Sequence, residues 1–136
     1  MATFELQVVT PDKTVANEQV EMVICPGLVG EFGVMPNHAP MLAALKIGRL
    51  IYRANGKDQH LFISGGFADV NNNVCTILAE SAERAEDIDE DRAFQAKKRA
   101  EERLAQHNGG IDEIRAQVAL QRALMRLHIA QLSNMK

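Results

Sequence analysis

Residues 81–104 read SAERAEDIDEDRAFQAKKRAEERL, and the hydrophobic period of the chain changes within them. On the downstream side Ala93, Ala96, Ala100 and Leu104 recur every three or four residues, which is one face of an α-helix. On the upstream side the apolar residues recur in twos. The change falls near residues 84–88, so two parts are expected, 1–84 built of strands and 85–136 of helices.

The strand half is legible from alternation and turns. Phe4, Leu6 and Val8 alternate with Glu5 and Gln7. Val20, Met22 and Ile24 alternate likewise, with Val23 on the opposite face. Leu50, Tyr52, Leu61 and Ile63 flank Asn55-Gly56, a type I′ hairpin signal. Gly65-Gly66 and Asn71-Asn72-Asn73 punctuate two further short runs, Phe67–Val70 and Val74–Ala79. All four prolines lie in this half, at turns or strand ends. Many short strands with regular turn signals predict a β-sandwich or flattened barrel.

The helical half is expected to be a hairpin. Asn108-Gly109-Gly110 reads as a stop and a turn, and Asp112 suits the positive end of a second helix. So short a link makes the helices antiparallel. Their facing residues are mostly alanine, so they approach closely yet bury little area. An isolated hairpin of this kind needs a partner or a ligand.

Arginines stand out on both helices. Plotted on a helix, Arg115, Arg122 and Arg126 fall within about 40° of one another. Ala116, Ala119, Ala123, Leu127 and Ala130 flank them on one side, and Val118, Met125, Ile129 and Leu132 on the other. Arg92, Arg99 and Arg103 form a matching stripe beside the first alanine face, with Arg92 and Arg99 able to face Arg126 and Arg122. Cations inside an apolar arc are costly unless an anion meets them. Closed together, they would crowd within a Debye length of about 8 Å. A triphosphate suits such a cluster, because guanidinium forks bind phosphate bidentately. Most helical charge stripes are solvated faces or lattices of (i, i+4) pairs, and Glu101, Glu102 and Glu113 could serve as partners. The pattern alone leaves both readings open. No GxxxxGK[ST] loop is present, so a nucleotide would be held by side chains.

Composition narrows the function. The 136 residues carry a formal charge of -3 and are 46% hydrophobic. That charge gives no reason to expect nucleic acid as a partner. No apolar run approaches the roughly 20 residues of a membrane span, and no secretion signal is visible. Cys25 and Cys75 sit far apart in apolar runs and read as buried free thiols in a reducing compartment. No zinc spacing, nucleophile–base pair or metal set stands out, so a catalyst is the weakest class.

Four segments resemble one family. Ile88-Asp89-Glu90-Asp91-Arg92-Ala93 is similar to the I/L-D-x-x-R-A motif of the ATP-binding epsilon subunits of bacterial F-type ATP synthases. Gly30-Glu31-Phe32-Gly33-Val34-Met35-Pro36-Asn37-His38-Ala39-Pro40 resembles the family's G-E-L-G-I-L-P-G-H-x-P segment. Ser64-Gly65-Gly66-Phe67 matches its S-G-G turn, and Val8-Val9-Thr10-Pro11-Asp12 its first strand end. The four lie in register along the whole chain, nearest to Bacillus-type members. Phe32 departs from the usual Leu, and Asn37 from the usual Gly at a position where Asn can also take positive φ.

The resemblance implies a ten-stranded β-sandwich followed by a two-helix regulatory domain, in a non-catalytic rotor subunit peripheral to the cytoplasmic face of a bacterial membrane. It implies that residues 1–84 bind the gamma subunit and the ring of c subunits, with Glu31 and His38 in the ring-facing loop. By itself His38 reads as a turn residue between prolines. The family's helices either fold or extend into the alpha/beta catalytic head, where they block ATP hydrolysis, and bound ATP favours the folded form. Carried over by position, the ATP set is Glu83, Ile88, Asp89, Arg92, Ala93, Arg99, Arg122 and Arg126. Ile88 and Ala93 would lie at adenine, Glu83 and Asp89 would orient polar groups, and Arg99, Arg122 and Arg126 would take the phosphates. Arg92 would serve Asp89 and the nucleotide. No metal is required. The alternative reading is a freestanding ATP-sensing module of the same architecture.

Overall fold

The computed structural model describes residues 2–106 and 110–134. They form two compact units, Met1–Arg84 and Ala85–Lys136. The first holds β1 (Phe4–Val9), β2 (Thr14–Val20), β3 (Met22–Cys25), β4 (Phe32–Val34), β5 (Met41–Ala54), β6 (Lys57–Asn71), β7 (Val74–Ala79) and β8 (Ala82–Arg84). The second holds a 3-10 turn at Ala85–Asp87, then α1 (Glu90–Ala105) and α2 (Gly110–Asn134).

One hydrogen-bonded path runs β2-β1-β7-β6-β5-β3-β4, with β8 paired to β6. All ladders are antiparallel except the parallel pair of β1 and β7. The path does not close, because β2 and β4 are its ends. The expected ten strands are corrected to eight among the described residues. The reason lies in β5 and β6, which are 14 and 15 residues long and belong to both layers of the sandwich. Leu61–Ile63 of β6 pairs with β8, whereas Gly66–Asn71 pairs with β7. The second halves of these two strands account for the difference from ten.

Gly65-Gly66, read from sequence as a stop, is instead the bend inside β6. Both glycines have positive φ, 89° and 125°. A Cβ on Gly66 would lie 1.9 Å from the Leu78 carbonyl oxygen, so only glycine lets β7 approach here. The ladder between β5 and β6 skips one step at this place, between Leu45↔Gly66 and Ile47↔Ser64.

A second correction concerns residues 20–24. Val20, Met22 and Ile24 do not share an inner face. Val20, Val23 and Cys25 are fully buried, while Met22 and Ile24 are half-buried. A bend at Glu21 separates β2 from β3 and reverses which parity points inward.

The Asn55-Gly56 hairpin forms as read, with φ of 55° and 76° and Ala54 opposite Lys57. Leu50 pairs with Leu61, and both are buried. The core collects Phe4, Leu6, Val8, Leu50, Tyr52 and Ile77 from strands of both layers. Cys25 and Cys75 are buried and free within it. Their mutual hydrogen bond, then burial, pushes the Cys25 thiol up.

One polar cluster joins strands that are not ladder neighbours. The Tyr52 hydroxyl on β5 donates to Glu18 on β2. Arg84 on β8 donates to the Tyr52 oxygen at 2.9 Å and to Glu18 at 3.4 Å. Burial first, then the bond to Glu18, pushes the Tyr52 phenol above its ordinary range, against an opposing pull from Arg84.

Two outcomes are expected. Gly66→Ala should destabilise the chain by more than about 1 kcal/mol in urea unfolding, because the backbone has no room for a methyl group. Tyr52 has a raised folded pKa, so its contribution is present below about pH 10 and fades as pH rises through the folded value. Tyr52→Phe should therefore lose less stability than the wild type as pH rises above about 10. Paired urea midpoints across that range check this.

Candidate functional site

Two regions carry the candidate residues. The first is the stretch from Gly27 to Leu42 in the sandwich. Its base is fixed by backbone bonds, Leu28 N–H to Ala44 O at 2.9 Å and Lys46 N–H to Pro26 O at 3.0 Å. A Cβ on Gly27 would lie 2.3 Å from the Gly30 oxygen, so the turn closes only around glycine. Asn37 takes φ 64°, as its replacement of glycine anticipates. Its N–H donates to Asn73 Oδ1 at 2.8 Å, and Asn73 Nδ2 donates to Thr3 O at 3.1 Å. Asn73 thereby ties the segment to the start of β1.

Leu28, Val29, Met35 and Leu42 are exposed, Val29 completely. Glu31 is exposed beside them. His38 is half-buried, its Nδ1 2.7 Å from the Ala39 carbonyl oxygen, which fits the turn-residue reading. Four large apolar side chains exposed along one segment are what a docking surface offers.

The second region is the helical unit. Asp89 caps α1, its Oδ1 accepting from the Arg92 N–H at 3.1 Å. The Asp89–Arg92 link thus runs through backbone, leaving the guanidinium exposed. At the other end, Asn134 Nδ2 donates to Glu90 Oε1, so the end of α2 lies at the start of α1. The helices are antiparallel. Ala93, Ala100, Ala116, Ala123 and Ala130 are buried between them, mostly seven residues apart, and Ala96 and Leu104 are half-buried. Ile88 is buried just ahead of α1. Gly110, with φ 65°, opens α2, while Asn108 and Gly109 of the expected turn lie outside the described residues.

The arginines are not interior cations, which corrects the burial problem posed by the helical wheel. Arg92, Arg99, Arg103 and Arg115 are exposed, and Arg122 and Arg126 are half-buried. The physical reason is the narrowness of the alanine seam. One apolar flank of the stripe is only partly inside it: Ile129 is fully buried, Val118, Met125 and Leu132 are half-buried, and the neighbouring Ile114 and Leu124 are exposed.

A cleft of about 340 Å³ opens on this unit, lined by Arg103, Ile114, Arg115, Val118, Ala119 and Arg122. Of the expected phosphate arginines it contains Arg122 alone. Arg103 and Arg115 take the other places, and both already stood in the two stripes. Glu83 is half-buried in β8, within the first unit. Among the described residues, no group of three or more His, Cys, Asp or Glu could hold a metal. No described helix is long and apolar enough to cross a membrane.

Comparisons with known proteins agree along the chain. The family model "ATP synthase, Delta/Epsilon chain, beta-sandwich domain" matches residues 3–85, and "ATP synthase, Delta/Epsilon chain, long alpha-helix domain" matches 86–131. An ATP synthase epsilon chain of Nitratidesulfovibrio vulgaris is 61% identical over 127 residues, covering 93% of this chain and 95% of the relative. One from Desulfitobacterium hafniense is 48% identical over 129 residues, covering 95% and 97%. Among solved structures, a chain of the Euglena gracilis mitochondrial ATP synthase (OSCP/F1/c-ring, rotational state 1) is similar with a TM-score of 0.79 at 25% identity. The match covers 100% of this chain and 83% of that one. A chain of the Tetrahymena thermophila mitochondrial ATP synthase central stalk and c-ring shares the fold, with a TM-score of 0.62 at 16% identity, covering 93% and 95%.

Replacing Asp89 with Ala removes the cap of α1 and should cost about 1 kcal/mol. Amide exchange across the first turn of α1 should speed up, and thermal loss of helix should begin earlier.

Proposed function

This chain belongs to the ATP synthase delta/epsilon-chain family, and from that premise we propose a rotor epsilon subunit whose helical hairpin responds to ATP. It performs no catalysis itself. In this reading residues 1–84 join the gamma subunit and the c-ring at the cytoplasmic face of a bacterial membrane. The exposed Leu28, Val29, Met35 and Leu42 around Glu31 and His38 supply a surface suited to the ring. The Euglena neighbour comes from an assembly that includes a c-ring, which supports this partner.

ATP is the proposed ligand of the hairpin. Ile88 and Ala93 are apolar and lie near the capped start of α1, although both are buried in the closed hairpin, and Arg99, Arg122 and Arg126 offer charge for phosphate. The single observation that carries the ligand is a hairpin with a thin alanine seam and many cations. Arg92, Arg99, Arg103, Arg115 and Arg122 have no carboxylate within ion-pair distance among the described residues. An anion between the helices would relieve that repulsion and strengthen closure together. The opened helices would then be the form that restrains ATP hydrolysis by the catalytic head.

Magnitudes limit the switch. A ligand that binds only the closed form stabilises it by about 2.7 kcal/mol at one hundred times its dissociation constant. Reversing a population from 1:99 to 99:1 takes about 5.5 kcal/mol. ATP therefore biases the hairpin and does not lock it. Contacts with the rest of the rotor and the proton-motive force must supply the remainder.

Calorimetric titration of the full chain with ATP, ADP and GTP tests the ligand. ATP should bind, and Arg99→Ala and Arg126→Ala should each weaken it about tenfold or more. Silence at millimolar ATP would remove the ligand from the account. In the assembled synthase, deleting residues 88–136 should raise the rate of ATP hydrolysis, and an unchanged rate would argue against restraint by this hairpin.

A further inference from the structure

Asn55-Gly56 closes the hairpin between β5 and β6, and one contact there belongs to no ladder. The Gly56 N–H donates to Glu21 Oε1 at 3.1 Å. We infer that Asn55 is a self-modification site, which loses its side-chain amide through a cyclic imide, and that Glu21 holds this reaction back. The inference goes beyond the rotor and ATP readings and rests on neither.

The turn supplies both reacting atoms. The Gly56 nitrogen is the nucleophile and Asn55 Cγ the electrophile. Glycine has no side chain to screen its nitrogen, and a Cβ built on Gly56 would meet nothing within 4 Å. Asn55 and Gly56 are both exposed, so water reaches them. In the first step a bond forms from the Gly56 nitrogen to Asn55 Cγ, and the bond from Cγ to Nδ2 breaks. The Gly56 nitrogen gives up its proton, and Nδ2 leaves as ammonia. In the second step water adds to one ring carbonyl and one ring C–N bond breaks. The sum is amide plus water giving acid plus ammonia.

The fold controls the nucleophile. Ala54 pairs with Lys57 across the turn, and Asn55 and Gly56 are held at φ 55° and 76°. To attack, the Gly56 nitrogen must leave this geometry and turn toward Cγ. The bond to Glu21 opposes that movement. Glu21 reaches the turn from the bend between β2 and β3, where its own N–H donates to the Arg53 oxygen at 2.8 Å. Arg53 attracts the Glu21 carboxylate and is itself bonded to Asp58 across the hairpin at 2.8 Å. Glu21 is thus placed by backbone and by charge.

The products differ in their fit. Opening at one carbonyl gives aspartate, which also adopts positive φ. Opening at the other gives isoaspartate, which adds a carbon to the main chain and breaks the two-residue turn. Either product adds a negative charge near Glu21 and Asp58.

The test is incubation of the full chain at neutral pH, with peptide mass spectrometry following amide-to-acid conversion at Asn55. Conversion should run at least about tenfold slower in the folded chain than in urea. Glu21→Ala should speed it about threefold to tenfold in the folded chain. Glu21→Gln keeps an acceptor oxygen but removes the base, and should stay within about twofold of the wild type. The Asn108-Gly109 peptide has the same two-residue sequence and should convert at the same rate in all three chains. Amide exchange at Leu50 and Leu61 should match the wild type, which separates a local effect from global opening. An unchanged rate in Glu21→Ala would overturn the inference. So would slowing in both variants, which would make Glu21 a base, or equal acceleration in both. Faster exchange at Leu50 and Leu61 in parallel with faster conversion would also overturn it.

Discussion

The sandwich depends on a strand that serves two layers. β6 pairs with β8 over Leu61–Ile63 and with β7 over Gly66–Asn71. It can do so because Gly65 and Gly66 take positive φ and because nothing protrudes from Gly66 toward the Leu78 carbonyl. A side chain there would push β7 away, and β1 lies beyond it through the parallel ladder. The polar cluster of Tyr52, Glu18 and Arg84 then links strands that share no ladder. A rigid sandwich results, and the exposed apolar segment from Leu28 to Leu42 is held on it by Asn73 and the backbone bonds of Leu28 and Lys46.

The helical unit is built on the opposite balance. Its seam is mostly alanine, with Ile129 the one large side chain fully buried among the described residues, so most contacts bury a single methyl group and contribute on the order of 0.8 kcal/mol each. Arginines gather beside that seam. A hairpin held weakly by burial and opposed by its own charge is close to the point where a ligand decides its state. The same property that would be a defect in a structural domain suits a regulatory one.

Much of this was legible in the sequence, for local reasons. Asn55-Gly56 gave its hairpin because two residues contain the whole turn. The change of period near residues 84–88 coincides with the boundary between the compact units. What was not legible depended on distant partners. Gly65-Gly66 looked like a stop because its reason, the Leu78 oxygen, lies elsewhere in the chain. Residues 20–24 looked like one strand because the layer change at Glu21 has no signature of its own. The helical wheel found both arginine stripes but not which members meet. That grouping follows from the axial level of α1 against α2, which the pairing of Glu90 with Asn134 fixes.

The central claim is that anion binding closes the hairpin. Spin labels at Asp91 and Gln131, both exposed and near the joined helix ends, would report closure as a distance distribution by pulsed electron resonance. The account predicts that the short-distance population grows as ATP is added and returns when ATP is removed. A distribution unchanged from zero to saturating ATP would contradict it.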